Sequence, residues 1–453
     1  MQHHLPQQLL HDLEGLPGFD EQSFIDVHTS KEQVTSVRLN PAKPITADHF
    51  AGSEQVPWCE YGRYLPARPS FTLDPVFHGG AYYVQEASSM FLHHVIRQVY
   101  TDEQPRHVLD LCGAPGGKST LVAAALPNSF IVSNEVIKTR VSVLAENISK
   151  WGSEHVVVTN NDPKDFTRLP AFFDLMVVDA PCSGSGLFRK DPAAIEEWSE
   201  NNVQMCSLRQ QRILTDAIPS LRRDGYLIYS TCSYSKQENE DICDWIVDTF
   251  RLTPVAVATE PGWGVTETIS PVHGASGYRF YPDKVKGEGL FIACFRQENP
   301  VEEYYAPANK LQLLTRNEQE QVNSWLQEPE ASTLFVQKEN IVAIPARWAE
   351  SFAIVQKNLS VRKSGVAIGN FKGKDLIPHH EFALSSLLHQ HIVVADLDKE
   401  EALRYLKRQD LVLSTAQKGW SLMRHQGINL GWAKVLPTRV NNYYPTNWRI
   451  LIP

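Results

Sequence analysis

The sequence lacks several features that would define the class of a protein at once. Its 453 residues contain no apolar run of transmembrane length and no charged-then-apolar export signal near the start. Its seven cysteines are odd in number, and none forms a CxxC pair or joins histidines at a metal-ligand spacing. These absences argue against a membrane protein, a disulfide scaffold and a zinc module. We therefore expect a cytoplasmic protein with free thiols, no metal and no membrane contact.

An excess of basic residues is also missing. The 43 lysines and arginines are outnumbered by 52 aspartates and glutamates, which gives a formal net charge of −9. Phosphate contacts dominate nucleic-acid affinity and need basic groups, so this balance disfavours promiscuous binding to RNA. A local basic patch still acts within a Debye length of its ligand, and a structured substrate stays compatible with the charge.

The length and the composition predict a globular protein of two or three domains. Hydrophobic residues make up 42% of the chain and charged residues 21%, which is enough for substantial cores. Residues 1–100 combine a short helix, a strand-like run and proline-rich loops, and they predict a small α+β module. Residues 101–298 alternate strands and helices, and a charged linker over 299–330 follows. Residues 331–453 predict a second mixed domain with short strands.

The central region carries the clearest fold signal. Six short segments are β-branched and nearly all apolar, which is typical of parallel strands covered on both faces. A helix between the second and third segments has one apolar side, formed by Ile137, Val141, Leu144 and Ile148. We predict a doubly wound α/β sheet. The six segments span residues 107–112, 130–135, 156–160, 174–181, 225–232 and 289–295.

A glycine-rich turn, DLCGAPGGKST (residues 110–120), ends the first predicted strand and opens a helix. Its glycines let backbone N–H groups approach a ligand closely, and the helix N-terminus adds partial positive charge. The spacing is neither GxGxxG nor GxxxxGK[ST], so we predict a nucleotide-like cofactor other than a dinucleotide or a triphosphate. The candidate cofactor residues of this turn are Cys112, Gly113, Ala114, Pro115, Gly116, Gly117 and Lys118.

Acidic residues stand at the ends of four predicted strands of the same sheet: Asp110, Glu135, Asp162 and Asp179. An acidic residue at the position of Glu135, the end of the second strand, would bind ribose hydroxyls. Asp162 could reach an adenine amino group. Tight turns and helix caps are the alternative explanation for the set. For Asp162 alone that alternative is as good as the functional one.

Two cysteines also end predicted buried strands: Cys182 in VVDAPCSGSG (177–186) and Cys232 in LIYSTCSYS (227–235). A thiol beside a cofactor turn predicts covalent attack on an electron-poor carbon. Cys232 precedes a predicted helix whose Ser235 and Glu238 would make a capping box, and a helix N-terminus favours a thiolate. Cys182 follows Pro181, as in DNA carbon-5 methyltransferases, so the chemistry alone leaves both cysteines open as the nucleophile.

Four segments of the α/β domain resemble successive motifs of the Nop/Sun/Fmu family: DLCGAPGGKST, NEVIKTR (134–140), DAPCSGSGLFRKDP (179–192) and STCSY (230–234). Members of that family are RNA cytosine carbon-5 methyltransferases that use S-adenosylmethionine. SVRLNPAK and YVQEASSM resemble the N-terminal module of the family. The C-terminal segments LGWAKVL (430–436) and RVNNYYP (439–445) are similar to the tail of bacterial RsmF-type enzymes, which modify small-subunit ribosomal RNA.

The resemblance implies a Rossmann-like class I methyltransferase core and a PUA-like C-terminal domain. It assigns the nucleophile to Cys232 and a helper role in product release to Cys182. Arg140 stands where the family has an arginine. The alternative is that Arg140 is an ordinary charged residue on a helix surface. By position, Asp179 fits a hydrogen bond to the cytosine edge and Lys118 could point into the site. The alternative for Asp179 is that it caps the following turn, and the alternative for Lys118 is that it is an exposed lysine at the start of a helix.

Several basic residues are candidates for contact with the substrate, which we expect to be ribosomal RNA or the small ribosomal subunit. We expect the protein to act as a monomer. Solvated charged loops are the alternative. Transfer RNA, DNA methylation through Cys182, and a cofactor-binding RNA chaperone without turnover are the rival functions. The candidate residues are Arg189 and Lys190, then Arg38, Lys43, Arg63 and Arg68, and finally Arg362, Lys363, Lys372 and Lys374 around Phe371.

Overall fold

The structure, a computed structural model, describes residues 4–30, 32–301, 306–413 and 417–451. A 10-stranded mixed sheet forms the centre, and three 4-stranded sheets lie around it. Among the helices described, none combines the length and the hydropathy that a membrane span requires.

The N-terminal module has a small antiparallel sheet in the order β2-β3-β1-β4. The segment 82–100 divides into a strand and a helix, because residues 82–84 pair with β1 before the helix begins at Phe91. Its elements are α1 (Gln7–Leu13), α2 (Glu21–Thr29), β1 (Thr35–Leu39), β2 (Glu54–Gln55), β3 (Gly62–Leu65), α3 (Pro75–His78), β4 (Tyr82–Val84) and α4 (Phe91–Val99).

The central sheet confirms the predicted α/β class. Its elements are β5 (His107–Asp110), α5 (Gly117–Ala125), β6 (Phe130–Asn134), α6 (Lys138–Trp151), β7 (Val156–Thr159), β8 (Phe173–Asp179), α7 (Ala193–Glu197), α8 (Glu200–Ala217), β9 (Leu221–Thr231), α9 (Glu240–Phe250), β10 (Thr253–Val255), β11 (Thr266–Ile269), β12 (Ser276–Phe280) and β13 (Leu290–Arg296).

The strands run in the order β11-β12-β13-β9-β8-β5-β6-β7, and the chain winds in opposite directions on the two sides of β5. Strands β5 to β9 are parallel, whereas β13 runs antiparallel to β9. The prediction that all six strands are parallel is therefore wrong for the last one. Strand β12 leads to β13 without a crossover helix, so β13 returns antiparallel. The order reversal leaves a crevice at the carboxyl ends of β5 and β8, where ligands of such sheets bind.

Both faces of the central sheet are covered. Val108 packs into one core with Leu144 of α6, while its neighbour Leu109 packs into the other with Ile213 of α8 and Ile242 of α9. All five side chains are at most 5% exposed. Burial of each such aliphatic side chain contributes about 1.5–3 kcal/mol, so the two cores hold the crevice rigidly.

The C-terminal region predicted as one domain over 331–453 contains two sheets, in the orders β14-β15-β17-β18 and β19-β20-β21-β22. Helix α10 (Arg316–Asn323) lies before this region, in the predicted linker. The elements of the region are β14 (Ser332–Gln337), β15 (Asn340–Pro345), α11 (Ala349–Asn358), β16 (Val361–Lys363), β17 (Val366–Lys372), β18 (Asp375–Pro378), α12 (His380–Leu384), β19 (Val394–Asp396), α13 (Lys399–Leu406), β20 (Gly419–His425), β21 (Ile428–Val435) and β22 (Val440–Asn442).

The first of these two sheets packs against the central α/β core. Strand β16 pairs with β7 and becomes the last strand of the central sheet. Trp348 and Phe352 pack into the same core as α8 and α9. The open edge of β7 is therefore covered by a strand from beyond the predicted boundary at 331.

Candidate active site

The glycine turn lies between β5 and α5 and packs against the end of β6. The Gly113 N–H donates to the Asn134 carbonyl at 2.7 Å, and a Cβ at Gly113 would collide with the Ser133 side chain. Gly116 has φ 116° and directly precedes the first residue of α5. These two positions need glycine, since one is too close to its neighbour for a Cβ and the other is left-handed.

Asp110 anchors this turn from beneath. It is 0% exposed and accepts a hydrogen bond from Ser119 Oγ at 2.5 Å, and Ser119 Oγ lies 2.6 Å from Ser133 Oγ. Burial raises the pKa of the Asp110 carboxyl to about 7. Asp110 thus joins β5, α5 and β6 in the interior and does not line the crevice cavities described below.

Glu135 and Arg140 connect the turn to the end of β6. Glu135 is 4% exposed, accepts the Ile137 N–H at 2.8 Å, and lies 3.3 Å from Arg140. Arg140 also donates to the Ala114 carbonyl at 2.7 Å. A carboxylate held this way at a strand end is preorganised for hydroxyl donors of a ligand. Ile137, predicted on the buried side of α6, is half-exposed and lines the cavity beside Glu135.

Asp162 lies after β7 and caps the turn that follows it, which was the alternative to a contact with the cofactor. One carboxylate oxygen accepts the Lys164 N–H at 3.1 Å, and the other lies 3.6 Å from Arg212. The neighbouring Pro163 lines the crevice, but Asp162 is not among its lining residues. Contact between Asp162 and an adenine stays a prediction.

Two adjoining cavities fill the crevice. The first, about 480 Å³, lies over the ends of β5, β6 and β8 and reaches Arg209 and Arg212 of α8. The second, about 400 Å³, extends from the glycine turn towards residues 83–86 of the N-terminal module. Every residue of the candidate turn from Cys112 to Lys118 except Gly116 lines at least one of them. Both cavities share a wall formed by Cys112, Ala114, Arg140, Asp179, Leu187 and Cys232.

The two predicted cysteines meet beside this wall: Cys232 belongs to it, and Cys182 lines the first cavity only. Cys182 follows β8, Cys232 follows β9, and their sulfur atoms lie 3.0 Å apart as free thiols. The hydrogen bond with Cys232 and burial raise the pKa of the Cys182 thiol well above its usual value. Because the two strand ends are neighbours in the sheet, residues 50 positions apart in the chain become a pair.

Lys118 and Asp179 form an ion pair beside these thiols. Lys118 Nζ lies 2.8 Å from Asp179 Oδ2, and Ser230 Oγ donates to Asp179 Oδ1 at 3.0 Å. Burial lowers the pKa of the Lys118 ammonium, but Asp179 and the nearby Cys232 sulfur outweigh it, so the net shift is upward. Lys118 is therefore a cation at neutral pH, next to Cys232 on the wall of the second cavity.

The predicted capping box of Ser235 and Glu238 is wrong. Helix α9 begins only at Glu240, and the Ser235 hydroxyl makes no hydrogen bond within the described residues. The Glu238 side chain turns inward and accepts hydrogen bonds from residues beside both cysteines. A helix dipole capped at Ser235 therefore gives no support to a Cys232 thiolate.

Arg38 and Lys43 were predicted to face RNA, and the structure corrects both. Arg38 is 0% exposed and donates to Gln85 at 2.7 Å and to Thr120 at 2.6 Å. Burial lowers the pKa of its guanidinium to about 10. Lys43 donates to two main-chain carbonyls, one of them in the last turn of α6. Both side chains join the N-terminal module to the central α/β domain.

Arg189 and Lys363 are also corrected. The side chain of Arg189 is 6% exposed, lies 3.5 Å from Glu288, and donates to two main-chain carbonyls. Lys363 is 7% exposed and pairs with Glu381 at 3.1 Å. Both cations are thereby committed to contacts inside the protein.

The other basic candidates remain near the surface. Arg63 is half-buried and donates to a main-chain carbonyl of its own loop. Phe371 is half-buried and packs against the core beneath β17. The fully exposed candidates are Arg68, Lys190, Arg362, Lys372 and Lys374.

The outer wall of the second cavity was not predicted. Tyr83, Gln85 and Glu86 come from the N-terminal module, and residues 288–290 come from the end of the loop before β13 and the first residue of that strand. No spacing in the sequence links these segments to residues 112–118. The only signal was the resemblance of YVQEASSM to a family module, which names the segment without locating it.

The fold and the family matches together define a Rossmann-like methyltransferase that uses S-adenosylmethionine. Three family models match the chain in order: the N-terminal domain of 16S rRNA methyltransferase RsmF over residues 5–87, 16S rRNA methyltransferase RsmB/F over 98–296, and the methyltransferase RsmF PUA domain over 393–450. The chain belongs to the RsmF family of methyltransferases, which confirms the resemblance. The PUA match covers the second C-terminal sheet only.

Relatives and solved structures agree with this assignment. Ribosomal RNA small subunit methyltransferase F of Citrobacter koseri is 30% identical over 439 residues, covering 90% of this chain and 89% of that protein. The Klebsiella pneumoniae protein of the same name is 30% identical with the same coverage. NSun6 from Pyrococcus horikoshii, solved with SFG, shares the fold at a TM-score of 0.54 and 19% identity, over 66% of this chain and 100% of that one. A methyltransferase homolog protein from Pyrococcus horikoshii gives 0.51 and 25%, over 65% and 100%.

Proposed function

We propose that this protein methylates carbon 5 of a cytosine in small-subunit ribosomal RNA through a transient bond between Cys232 Sγ and carbon 6 of the base. The observation that carries the proposal is a pair of thiols 3.0 Å apart, of which Cys232 lies on the wall shared by two cavities and Cys182 lines the first cavity. One cavity can hold the methyl donor and the other the base, with the nucleophile between them. The names of the curated relatives support ribosomal RNA as the substrate.

The first cavity fits S-adenosylmethionine. Its volume of about 480 Å³ lies within the usual range for small-ligand sites. Cys112 and Ala114 of the turn would present backbone groups to it, and the Glu135 carboxylate would accept hydrogen bonds from the ribose hydroxyls. When bound, the cofactor supplies an electrophilic sulfonium methyl group.

Cys232 starts the reaction. Its thiolate forms a bond to carbon 6, and the displaced electron pair makes carbon 5 nucleophilic enough to accept the methyl group. Removal of the carbon-5 proton by a base then restores the ring double bond, and the carbon–sulfur bond breaks to return the thiolate. Cys182, held protonated 3.0 Å from the departing sulfur, would assist this release.

The ion pair orients and stabilises the base. Asp179 would accept a hydrogen bond from the edge of the cytosine, while Lys118 would stabilise the negative charge that develops on the ring during thiolate addition. Both side chains line the second cavity together with Cys232. To enter this cavity, the target nucleotide must leave its stack, which favours unpaired cytosine.

The matching family models favour RNA over the rival in which Cys182 attacks cytosine in DNA, because two of them describe 16S rRNA methyltransferases. Transfer RNA is the remaining alternative substrate. A chaperone that binds the cofactor without turnover would have no use for the paired thiols. Bisulfite sequencing of total RNA from cells with and without the protein would identify the substrate.

Substitution of each cysteine tests the mechanism. We expect Cys232→Ala to lower methyl transfer by at least about 1,000-fold. Cys182→Ala should instead accumulate an RNA–protein adduct that survives denaturing electrophoresis, because release is impaired. Transfer of a labelled methyl group to matched RNA and DNA oligonucleotides is the measurement. Cys206→Ala, a buried cysteine of α8, is the control. An active Cys232→Ala enzyme would overturn the proposal.

A further inference from the structure

We propose that Glu238 is a positioning residue that holds the loops of Cys182 and Cys232 in register, so that one thiol attacks and the other assists release. The proposal rests on the proposed function of the two cysteines. Glu238 touches neither cavity and is 0% exposed. Its contacts, rather than any motif, point to this role.

The Glu238 carboxylate receives four hydrogen bonds from side chains and backbone. Oε1 accepts from the Ser183 N–H at 2.8 Å and from Gln210 Nε2 at 3.1 Å. Oε2 accepts from the hydroxyls of Ser183 at 2.5 Å and Ser233 at 2.6 Å. Ser183 directly follows Cys182, and Ser233 directly follows Cys232. One carboxylate therefore ties together the backbones that carry both sulfur atoms.

The two residues after Glu238 contact the loop of Cys232 but not the loop of Cys182. Asn239 accepts from Thr231 Oγ1 at 2.6 Å and donates to the Ser233 carbonyl at 2.8 Å. Glu240 pairs with Arg279 at 2.5 Å, and Arg279 donates to the Tyr234 carbonyl. Glu238 differs from these neighbours because it alone of the three reaches across to the Cys182 loop.

The charge of Glu238 also distinguishes the two thiols. Its four hydrogen-bond donors are neutral groups, and burial raises the pKa of its carboxyl. Among the described residues, the charge of Glu238 raises the pKa of Cys182, Cys206 and Tyr229. A carboxylate near Cys182 favours the protonated thiol there, whereas the Lys118 cation lies on the side of Cys232. This asymmetry matches a thiolate nucleophile beside a thiol that donates a proton.

Glu238→Gln keeps the shape of the side chain but removes its charge and replaces one acceptor by a donor. We expect kcat for methyl transfer to fall about 100-fold while the KM for RNA stays within about twofold, since misplacing reacting groups affects the chemical step. Alkylation of Cys182 in the free enzyme, followed by mass spectrometry, should shift to lower pH. Asp241→Asn, an exposed acid in the first turn of α9, should change neither quantity.

The result that would overturn the proposal is a folded Glu238→Gln protein with unchanged kcat and an unchanged pH profile for Cys182 alkylation. If this variant does not fold, Ser183→Ala and Ser233→Ala each remove one donor to Oε2 and should each lower kcat about tenfold; wild-type rates in both would refute the role. The alkylation profile needs no RNA. It therefore remains informative even if an active Cys232→Ala enzyme disproves the proposed function.

Discussion

The crevice and the periphery of this molecule both carry many charged residues, but they use them differently. In the crevice, Lys118 and Asp179 pair with each other and still line a cavity that a ligand can enter. At the periphery, Arg38 and Lys363 are buried, and their donors are taken up by protein acceptors. A cation that completes a domain contact is unavailable to a phosphate, whatever its sequence context.

A residue's position relative to a strand end predicts whether it lines the ligand site, whereas basic character alone does not predict contact with RNA. The crevice residues were found because the carboxyl ends of parallel strands converge on one edge of a sheet. The basic residues were selected by type and by neighbouring turns, and four of them lie in the interior. The acidic net charge of −9 makes the few exposed cations more important for RNA binding.

The largest effect should come from the crevice ion pair. We expect Lys118→Met and Asp179→Asn each to lower methyl transfer by about 100- to 1,000-fold, because each removes a preorganised charge from the reacting base. Single-turnover rates with saturating RNA and cofactor would measure this. Lys357→Met removes an exposed cation of α11 that lines neither cavity and is the control. A Lys118→Met enzyme with the wild-type rate would remove Lys118 from the mechanism.

The second effect concerns a buried peripheral cation. Arg38→Met should lower the free energy of unfolding by about 3 kcal/mol, because it leaves Gln85 and Thr120 with unpaired buried groups. Urea unfolding followed by circular dichroism is the measurement. The exposed Arg68→Met should change stability by less than about 0.5 kcal/mol. Equal stability of the two variants would contradict the structural role of Arg38.

The third effect is the pH dependence that Asp110 imposes on stability. Burial raises its pKa in the folded protein from 3.8 to about 7, so the folded state holds a proton that the unfolded state has lost in this window. The free energy of unfolding should therefore fall as pH rises from about 4 to about 7, by at most about 1.4 kcal/mol per pH unit. Asp110→Asn should remove this slope. Parallel curves for the two proteins would disprove it.

The smallest effect should come from the exposed lysines of the C-terminal region. Lys372→Ala and Lys374→Ala together should weaken RNA binding about fivefold and reduce its salt dependence by about one counterion per lysine. Filter binding at several salt concentrations would measure both quantities. Lys357→Ala, an exposed lysine of α11, is the control. Unchanged affinity in the double variant would place the RNA elsewhere.

Deletion of the C-terminal region would be a poor test of RNA binding. Residues before the PUA match supply β16 to the central sheet and Trp348 and Phe352 to its core. Their removal would expose the edge of β7 and apolar surface of the catalytic domain. Substitutions at exposed positions therefore separate RNA binding from stability better than truncation does.

Much of the fold and of the site could be predicted from the sequence, because their signals are local. Apolar runs such as residues 174–181 indicate buried strands, and the glycine turn indicates a ligand site at a strand end. The direction of β13, the edge position of β16 and the inward turn of Glu238 could not be predicted. Each depends on pairing between segments that are far apart in the chain.

By itself, the sequence determined the class of the central sheet, the cofactor turn and the identity of the two candidate thiols. Only the tertiary structure decided that Cys182 and Cys232 lie in contact, that Glu238 joins their loops, and that Arg38 is an interior side chain. The physical reason is that strand and turn preferences act over a few residues. Burial and hydrogen-bond partners arise between residues such as Arg38 and Thr120, which are 82 positions apart.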